Sequence, residues 1–191
     1  MLPSDLALII PASGFSKRFG AADKLLADFG GRPLADYAAK TASQIGFAQM
    51  IAVVPPDSGE RAKVFKAKGF DIVINSSAAL GHTHSIQMGV KAVKAMPTKG
   101  ICIMLADMPL VPPAHIRALI EAAPDEGVVK TLYEGHIQPP AVFTGRASRE
   151  WRQPDNLAQS QAVNTLALAA PFGDDIDTAE DLDRLLRLTV K

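Results

Sequence analysis

The sequence predicts a three-layer α/β domain with a mostly parallel central sheet, and two observations carry that prediction. Four short apolar runs rich in Ile and Val, each ending in turn or polar residues, have the length and composition of buried strands. Segments with helical periodicity separate them, and strands alternating with helices give a parallel sheet covered on both faces. The first run is "LALIIP" (6–11), with a helix expected over 34–46 after Pro33. "MIAVVPP" (50–56) is followed by a helical segment at 58–68, "DIVIN" (71–75) by one at 84–96, and "ICIMLAD" (101–107) by one at 113–123. Downstream, "GVVKTLY" reads as another strand, "QPPAVF" as an extended segment held by its prolines, and 143–171 as helical with a break at Pro154. Thr178 and Asp181 are spaced as a capping box with Asp in place of Glu. Leu182, Leu185 and Leu186 then form one apolar stripe, so a final helix is expected to dock on the sheet.

The chain of 191 residues has no internal repeat, low-complexity tract or linker, and is read as a single domain over 1–191. Hydrophobic residues at 48% and charged residues at 21% exclude a disordered or fibrous class. Twenty basic and twenty acidic residues cancel, which leaves no broad field for nucleic acid or an anionic membrane. The apolar runs are too short to span a bilayer, and "MLPSDL" lacks the basic start of a signal peptide, so a soluble cytoplasmic protein without membrane or nucleic-acid partners is expected. Cys102, flanked by apolar residues, reads as core rather than as a nucleophile.

Directly after the first strand comes "PASGFSKRFGAADK" (11–24), at the edge of the sheet where open α/β folds bind ligands. Gly14 and Gly20 permit a tight turn and close backbone approach, and exposed N–H groups in such a loop form an anion-binding concavity. Arg18 offers a planar fork for phosphate and Lys24 a mobile point charge. The loop is neither a Walker A loop nor the Rossmann glycine fingerprint. Its residues therefore leave two readings, a phosphate grip or a solvated turn.

Ala12, Gly14, Ser16, Arg18, Gly20 and Lys24 fall in register on L-A-[AG]-G-x-S-x-R-x-G-x-x-x-K, the signature of the molybdenum-cofactor nucleotidyltransferases. Three further blocks resemble the same family. "NSSAALGHTHSIQMGV" matches at Asn75, Gly81, Ser85, Ile86, Gly89 and Val90; "LADMPLV" resembles G-D-M-P-[LF]-[VI]; and "DIDTAEDL" resembles D-I-D-T-P-E-D-L. The blocks occur in the family's order from residue 6 to residue 186. The resemblance, to molybdopterin cytidylyltransferases and molybdopterin-guanine dinucleotide synthases, implies a Rossmann-like (GT-A-like) nucleotidyltransferase domain. It also implies nucleotide binding by Ala12, Ser13, Gly14, Ser16, Arg18, Gly20, Lys24, Asn75 and Ser85.

Asp107 ends an apolar run, and an acid there is expensive to bury unless it is paired or bound to a cation. Mg²⁺, held by one or two carboxylates plus substrate phosphates, suits that position; an Asp capping the next turn is the plainer reading. By resemblance, the acids flanking Ile176 face Asp107 across the metal, so Asp175 and Asp177 join it as ligands with Asp175 the preferred one. Asp174 reads as a solvated loop charge, and Glu180 and Asp181 as favouring a helix N-terminus. In the implied reaction an acceptor phosphate attacks the α-phosphorus of CTP or GTP and pyrophosphate leaves. Arg18, Lys24 and Asp107 are the catalytic set, acting by positioning and neutralisation.

Some positions depart from the family pattern. Ser13 stands where Ala accompanies cytidine and Gly accompanies guanosine, and is nearer Ala in kind, so CMP is favoured over GMP. His82 and His84 replace Met and Ser; an H-x-H pair has the chemistry to bind metal, titrate, contact substrate or merely occupy a loop. Ser160, Ala162 and Asn164 stand where an Asp, a Gly and an Arg of the acceptor pocket are found in cytidylyltransferase relatives. The acceptor is therefore read as molybdopterin or a related phosphorylated cofactor, with a molybdoenzyme as the partner the resemblance allows. The alternatives are a sugar or polyol phosphate, or a non-catalytic relative that binds nucleotide or cofactor.

Overall fold

The structure, a computed structural model, describes residues 1–20, 22–94, 98–151 and 163–189. Among these residues seven strands form one sheet: β1 (Leu6–Pro11), β2 (Gln49–Val54), β3 (Asp71–Ile74), β4 (Gly100–Ile103), β5 (Gly127–Tyr133), β6 (His136–Thr144) and β7 (Val163–Ala167). Their order is β3-β2-β1-β4-β6-β5-β7. Strands β1 to β4, and the pair β5 and β7, are parallel; β6 runs against both of its neighbours. The exception follows from its connection. β5 and β6 are joined through Glu134 and Gly135 alone, both at positive φ (47° and 82°), as the two-residue hairpin turn that matches strand twist requires, and such a short link permits only antiparallel pairing.

Helices α1 (Leu34–Ser43), α2 (Gly59–Lys66), α3 (His82–Lys91), α4 (Pro113–Ala122), α5 (Gly145–Glu150) and α6 (Ala179–Thr189) accompany the sheet among the described residues. The two-residue period of β1 assigns its side chains to opposite layers. Leu6, Leu8 and Ile10 share a cluster with Ala35 and Ala39 of α1, Phe65 of α2 and Ile116 and Leu119 of α4. Ala7 and Ile9 share the other with Ile86 and Val90 of α3 and Ala147 of α5. Three layers result, as expected. On one face α3 packs so closely that a Cβ at Gly89 would lie 2.5 Å from Ile9 Cγ2, which accounts for glycine at that motif position. The capping box forms: Thr178 Oγ1 accepts from the Asp181 amide, and Asp181 Oδ2 accepts from the Thr178 amide. Leu185 is buried with Phe29, Leu34 and Ile176, and Leu182 and Leu186 pack beside it.

Several expectations are corrected. β4 stops at Ile103, so Asp107 lies four residues beyond the strand rather than at its end. The ladder to β6 ends at the Ile103 and Ala141 pair because the next residues of β6, Pro140 and Pro139, have no N–H to donate. The third helix spans His82–Lys91 rather than 84–96, beginning two residues earlier, after its N-cap Gly81. Among the described residues of 143–171, helix covers Gly145–Glu150, while 163–167 is a strand in register with β5, so sheet pairing overrides its helical periodicity. The break expected at Pro154 and the positions of Ser160 and Ala162 lie outside the described residues.

Candidate functional site

The parallel strands β1, β2 and β4 deliver their carboxyl ends to one edge of the sheet, and the opening loop leaves β1 there. Ser16 adopts a left-handed conformation (φ 51°) and Gly20 a positive φ of 90°, which fold the loop back over the edge around a short turn at Lys17–Phe19. A second short turn, Lys24–Leu26, follows, with the Asp23 side chain accepting from the Leu25 amide at 3.0 Å. Gly14 is exposed, and a Cβ on it would meet nothing within 4 Å, so packing against the protein does not explain glycine there. Gly14 borders the groove instead.

Three adjoining depressions form that groove. One of about 310 Å³ is bordered by Ser13, Gly14, Phe15, Ala79, His82 and Ser85. A second of about 160 Å³ reaches Ala12, Ser16, Lys24, His82 and Asp107, and a third of about 350 Å³ reaches Phe15, Ser16, Arg18, Lys24, Asp107 and Asp177. A larger cavity of about 630 Å³ borders Lys99, Gly100 and Arg149 at the opposite, amino-terminal edge, away from the end at which open α/β sheets bind ligands.

At the charged end of the groove the buried Lys24 ammonium lies 2.8 Å from Asp107 Oδ2 and 3.0 Å from Asp177 Oδ1. Arg18, exposed, reaches the other Asp177 oxygen at 2.7 Å. Burial opposes the charge on Lys24, but Asp107 and Asp177 outweigh it and raise its pKa. Asp107 is tied to the acidic block by its backbone as well, since its carbonyl accepts from the Ile176 amide at 3.0 Å. Ile176 is fully buried, whereas Asp175 on one side of it is exposed and Asp177 on the other is half-buried. The Asp175 carboxyl is partly shielded from solvent, and that desolvation, with the charges of Asp177 and Asp107, raises its pKa. Among the described residues, no three His, Cys, Asp or Glu side chains are gathered as a metal cluster. Two observations nonetheless fit a hard divalent cation: Asp107 Oδ1 is buried without a hydrogen-bond partner, and the oxygen donors of Asp107, Asp175 and Asp177 crowd one another electrostatically.

At the other end, Ser13, Asn75 and Ser85 are buried together. The two hydroxyls are 2.6 Å apart, and Asn75 Nδ2 donates to Ser85 Oγ at 3.0 Å while its Oδ1 accepts from the Ser77 amide. Ser13 and Ser85 border the groove; Asn75 stands behind them and sets their arrangement. His82 borders two of the depressions, and burial pushes its imidazole pKa down against the pull of Asp107. His84 Nδ1 is buried without a partner; two residues apart on α3, the two rings face different directions and do not form a joint metal pair.

Asp174 is not a solvated charge. Tyr133 donates to one of its oxygens and Arg184 reaches the other at 2.5 Å. That contact drives the Tyr133 hydroxyl pKa up, after burial as the first cause. The sequence reading missed Arg61, which is buried on α2 and donates to Asp23 and to the carbonyls of Ala12 and Gly14. The available signal was its spacing four residues before the buried Phe65, on the inward face of the helix.

A mostly parallel sheet with a polar turn-rich loop over its carboxyl edge, two basic residues and facing carboxylates has the features of a site for phosphate chemistry. The chain belongs to the family of the MobA-like NTP transferase domain, whose model matches residues 8–168. It is 27% identical over 133 residues to "Purine catabolism protein PucB" of Bacillus subtilis, a match covering 63% of this chain and 63% of that protein. Rv0371c of Mycobacterium tuberculosis superimposes with a TM-score of 0.80 at 24% identity, over 95% of this chain and 98% of that one. Its complex with manganese gives a TM-score of 0.78 at 22% identity with the same coverage. CMP:2-keto-3-deoxy-manno-octonic acid synthetase, complexed with CTP, gives 0.78 at 15% identity over 97% of this chain and 98% of that one. At 63%, the chain spans less than two thirds of the length of PucB. No helix among the described residues is long and apolar enough to cross a membrane.

Proposed function

We propose that the chain, as a single domain over 1–191, transfers a nucleoside monophosphate, CMP ahead of GMP, from its triphosphate to a phosphorylated small molecule, releasing pyrophosphate. The acceptor is molybdopterin or a related cofactor, the metal is Mg²⁺, and the setting is cytoplasmic, with a molybdoenzyme as the recipient of the product. The observation that carries the reading is the charged end of the groove, where Lys24 is held between Asp107 and Asp177 and Asp107 Oδ1 is buried without a partner.

In this reading Ala12, Ser13, Gly14 and Ser85 wall the base and ribose, with Asn75 behind, while Ser16, Gly20 and the loop amides border the phosphates. Arg18 and Lys24 hold the triphosphate and oppose the charge that develops on the leaving pyrophosphate. An anionic oxygen of the acceptor forms the new bond to the α-phosphorus as the α–β P–O bond breaks in line. The electron pair leaves with pyrophosphate, and no protein nucleophile is required. Asp107 with Asp177 or Asp175 would hold the cation, which supplies neutralisation of phosphate oxygens when bound. Manganese in the Rv0371c complex and CTP in the synthetase complex are the likenesses that support the metal and the nucleotide. A non-pterin acceptor, such as a sugar or polyol phosphate, is the second reading, favoured by Ser160, Ala162 and Asn164 in place of the family's Asp, Gly and Arg.

Calorimetric titration of the protein with CTP, GTP, ATP and UTP in Mg²⁺, repeated with EDTA for the tightest, tests the proposal. CTP preference that depends on metal is expected. Absence of binding by all four would remove the transfer reading in favour of a non-catalytic relative.

A further inference from the structure

We propose that Arg61 is a positioning residue that shapes the nucleotide-holding loop and carries Lys24 into place, an inference that rests on the reading of the groove as a nucleoside triphosphate site. Arg61 lies in the first turn of α2, outside the groove, and is 4% exposed. Burying a guanidinium is costly unless its donors are used, and here Nε and Nη1 are both directed at one loop. Nε donates to Asp23 Oδ2 at 2.6 Å, and Nη1 donates to the carbonyls of Ala12 at 2.6 Å and Gly14 at 2.9 Å. These partners stand at the two ends of the opening loop. A single side chain from the neighbouring helix therefore closes it.

The contacts have two consequences for the groove. A trans peptide directs its C=O and N–H oppositely. With the Ala12 and Gly14 carbonyls drawn inward to Arg61, the amides of Ser13 and Phe15 turn away from it, toward the side on which both residues border the groove. Among the described residues neither amide donates to a protein acceptor, so both are available to an anion. The second consequence runs through Asp23. Its Oδ2 is held by Arg61 while its Oδ1 caps the turn that begins at Lys24. Lys24 in turn reaches Asp107 and Asp177. Arg61 is thus one residue removed from the ammonium at the charged end and one peptide removed from each amide at the loop's start.

Lysine cannot replace this arrangement fully, because a point charge on a flexible stem does not serve a carboxylate on one side and two carbonyls on another at fixed angles. The experiment compares wild type, Arg61→Ala, Arg61→Lys and Asp23→Asn as full chains by calorimetric titration with CTP and GTP in Mg²⁺, beside thermal melts. Arg61→Ala should weaken nucleotide binding by about 10- to 100-fold, the range over which supporting residues act on a site they do not touch. Arg61→Lys should restore part of the affinity. Asp23→Asn keeps the cap on Leu25 and loses the charge pair, and should weaken binding in the same direction. Its effect should be less than additive with Arg61→Lys in the double variant, since both act on one contact. If Arg61→Ala does not fold, Arg61→Lys and Asp23→Asn decide the question. Folded variants that bind as tightly as a wild type that does bind would overturn the role of Arg61 alone. A wild type that binds none of CTP, GTP, ATP or UTP would overturn the nucleotide reading and this inference with it.

Discussion

Replacing Lys24 with methionine keeps the length and apolar stem of the side chain and removes only the ammonium. Its nitrogen lies 2.8 Å from Asp107 Oδ2 and 3.0 Å from Asp177 Oδ1. Those oxygens are therefore at most about 6 Å apart, and without the cation they repel by about 3 kcal/mol at an effective dielectric near 20. Both carboxylates are about a quarter exposed, so solvent screening reduces the loss to roughly 1–2 kcal/mol. For a chain of this size that is a fall of about 2–8 °C in melting temperature. The assay is a thermal melt of both proteins in EDTA and in excess Mg²⁺. Lys24→Met should be less stable in EDTA, and Mg²⁺ should raise its Tm by more than that of wild type, because a second cation then takes over part of the neutralisation. The pKa of Lys24 is raised, so the folded chain holds the proton more tightly than the unfolded one. The pairing is intact below the ordinary lysine value of 10.5 and is lost only above the raised folded pKa, which makes the difference between the two proteins flat across neutral pH. Equal melting temperatures in EDTA, or a deficit indifferent to Mg²⁺, would refute the view that these carboxylates form one cation-dependent unit.

Three further outcomes are expected. Asp107→Ala should lower metal-dependent turnover by at least about 10²-fold, with the circular dichroism spectrum unchanged because the link to Ile176 uses the Asp107 backbone; undiminished turnover would remove Asp107 from the site. Ser13→Gly opens the wall beside Ser85 and should change the ratio of CTP to GTP affinity several-fold, at a stability cost of about 1 kcal/mol for the lost hydroxyl contact; an unaltered ratio in paired titrations would place base selection elsewhere. His115 donates from Nε2 to Thr131 Oγ1, which itself donates to the Pro140 carbonyl, and burial lowers the imidazole pKa. The unfolded chain then binds the additional proton as pH falls below about 6.5, so stability declines on the acid side. Denaturant melts at pH 7 and pH 5 should show a smaller decline for His115→Gln, and an identical decline would exonerate His115.

Much of the site was legible because its residues are local to sequence blocks. Gly14, Ser16, Arg18 and Lys24 lie on one loop whose glycines and basic residues can be read together, and the Thr178 and Asp181 box is a contact between neighbours in sequence. Arg61 was hidden for the opposite reason. Its partners Ala12 and Gly14 lie 49 and 47 residues away, and two of its three contacts are to backbone carbonyls, which carry no side-chain identity to read. The fate of Asp174 was equally non-local, decided by Tyr133 at the end of β5 and Arg184 on α6.

By itself the sequence determined the layers: apolar runs of strand length, alternating with amphipathic helices, can bury their faces only as a covered sheet. It also determined the chemical inventory at the sheet's carboxyl edge. Tertiary structure alone decided that 163–167 is a strand, since its partner is β5 and an unpaired segment has no ladder to join. It decided as well that Lys24 stands between Asp107 and Asp177, which are 83 and 153 residues away from it in the chain. Strength of pairing depends on distance and burial rather than on residue type, and both are set only when the loop, the turn after β4 and the segment before α6 close on one another.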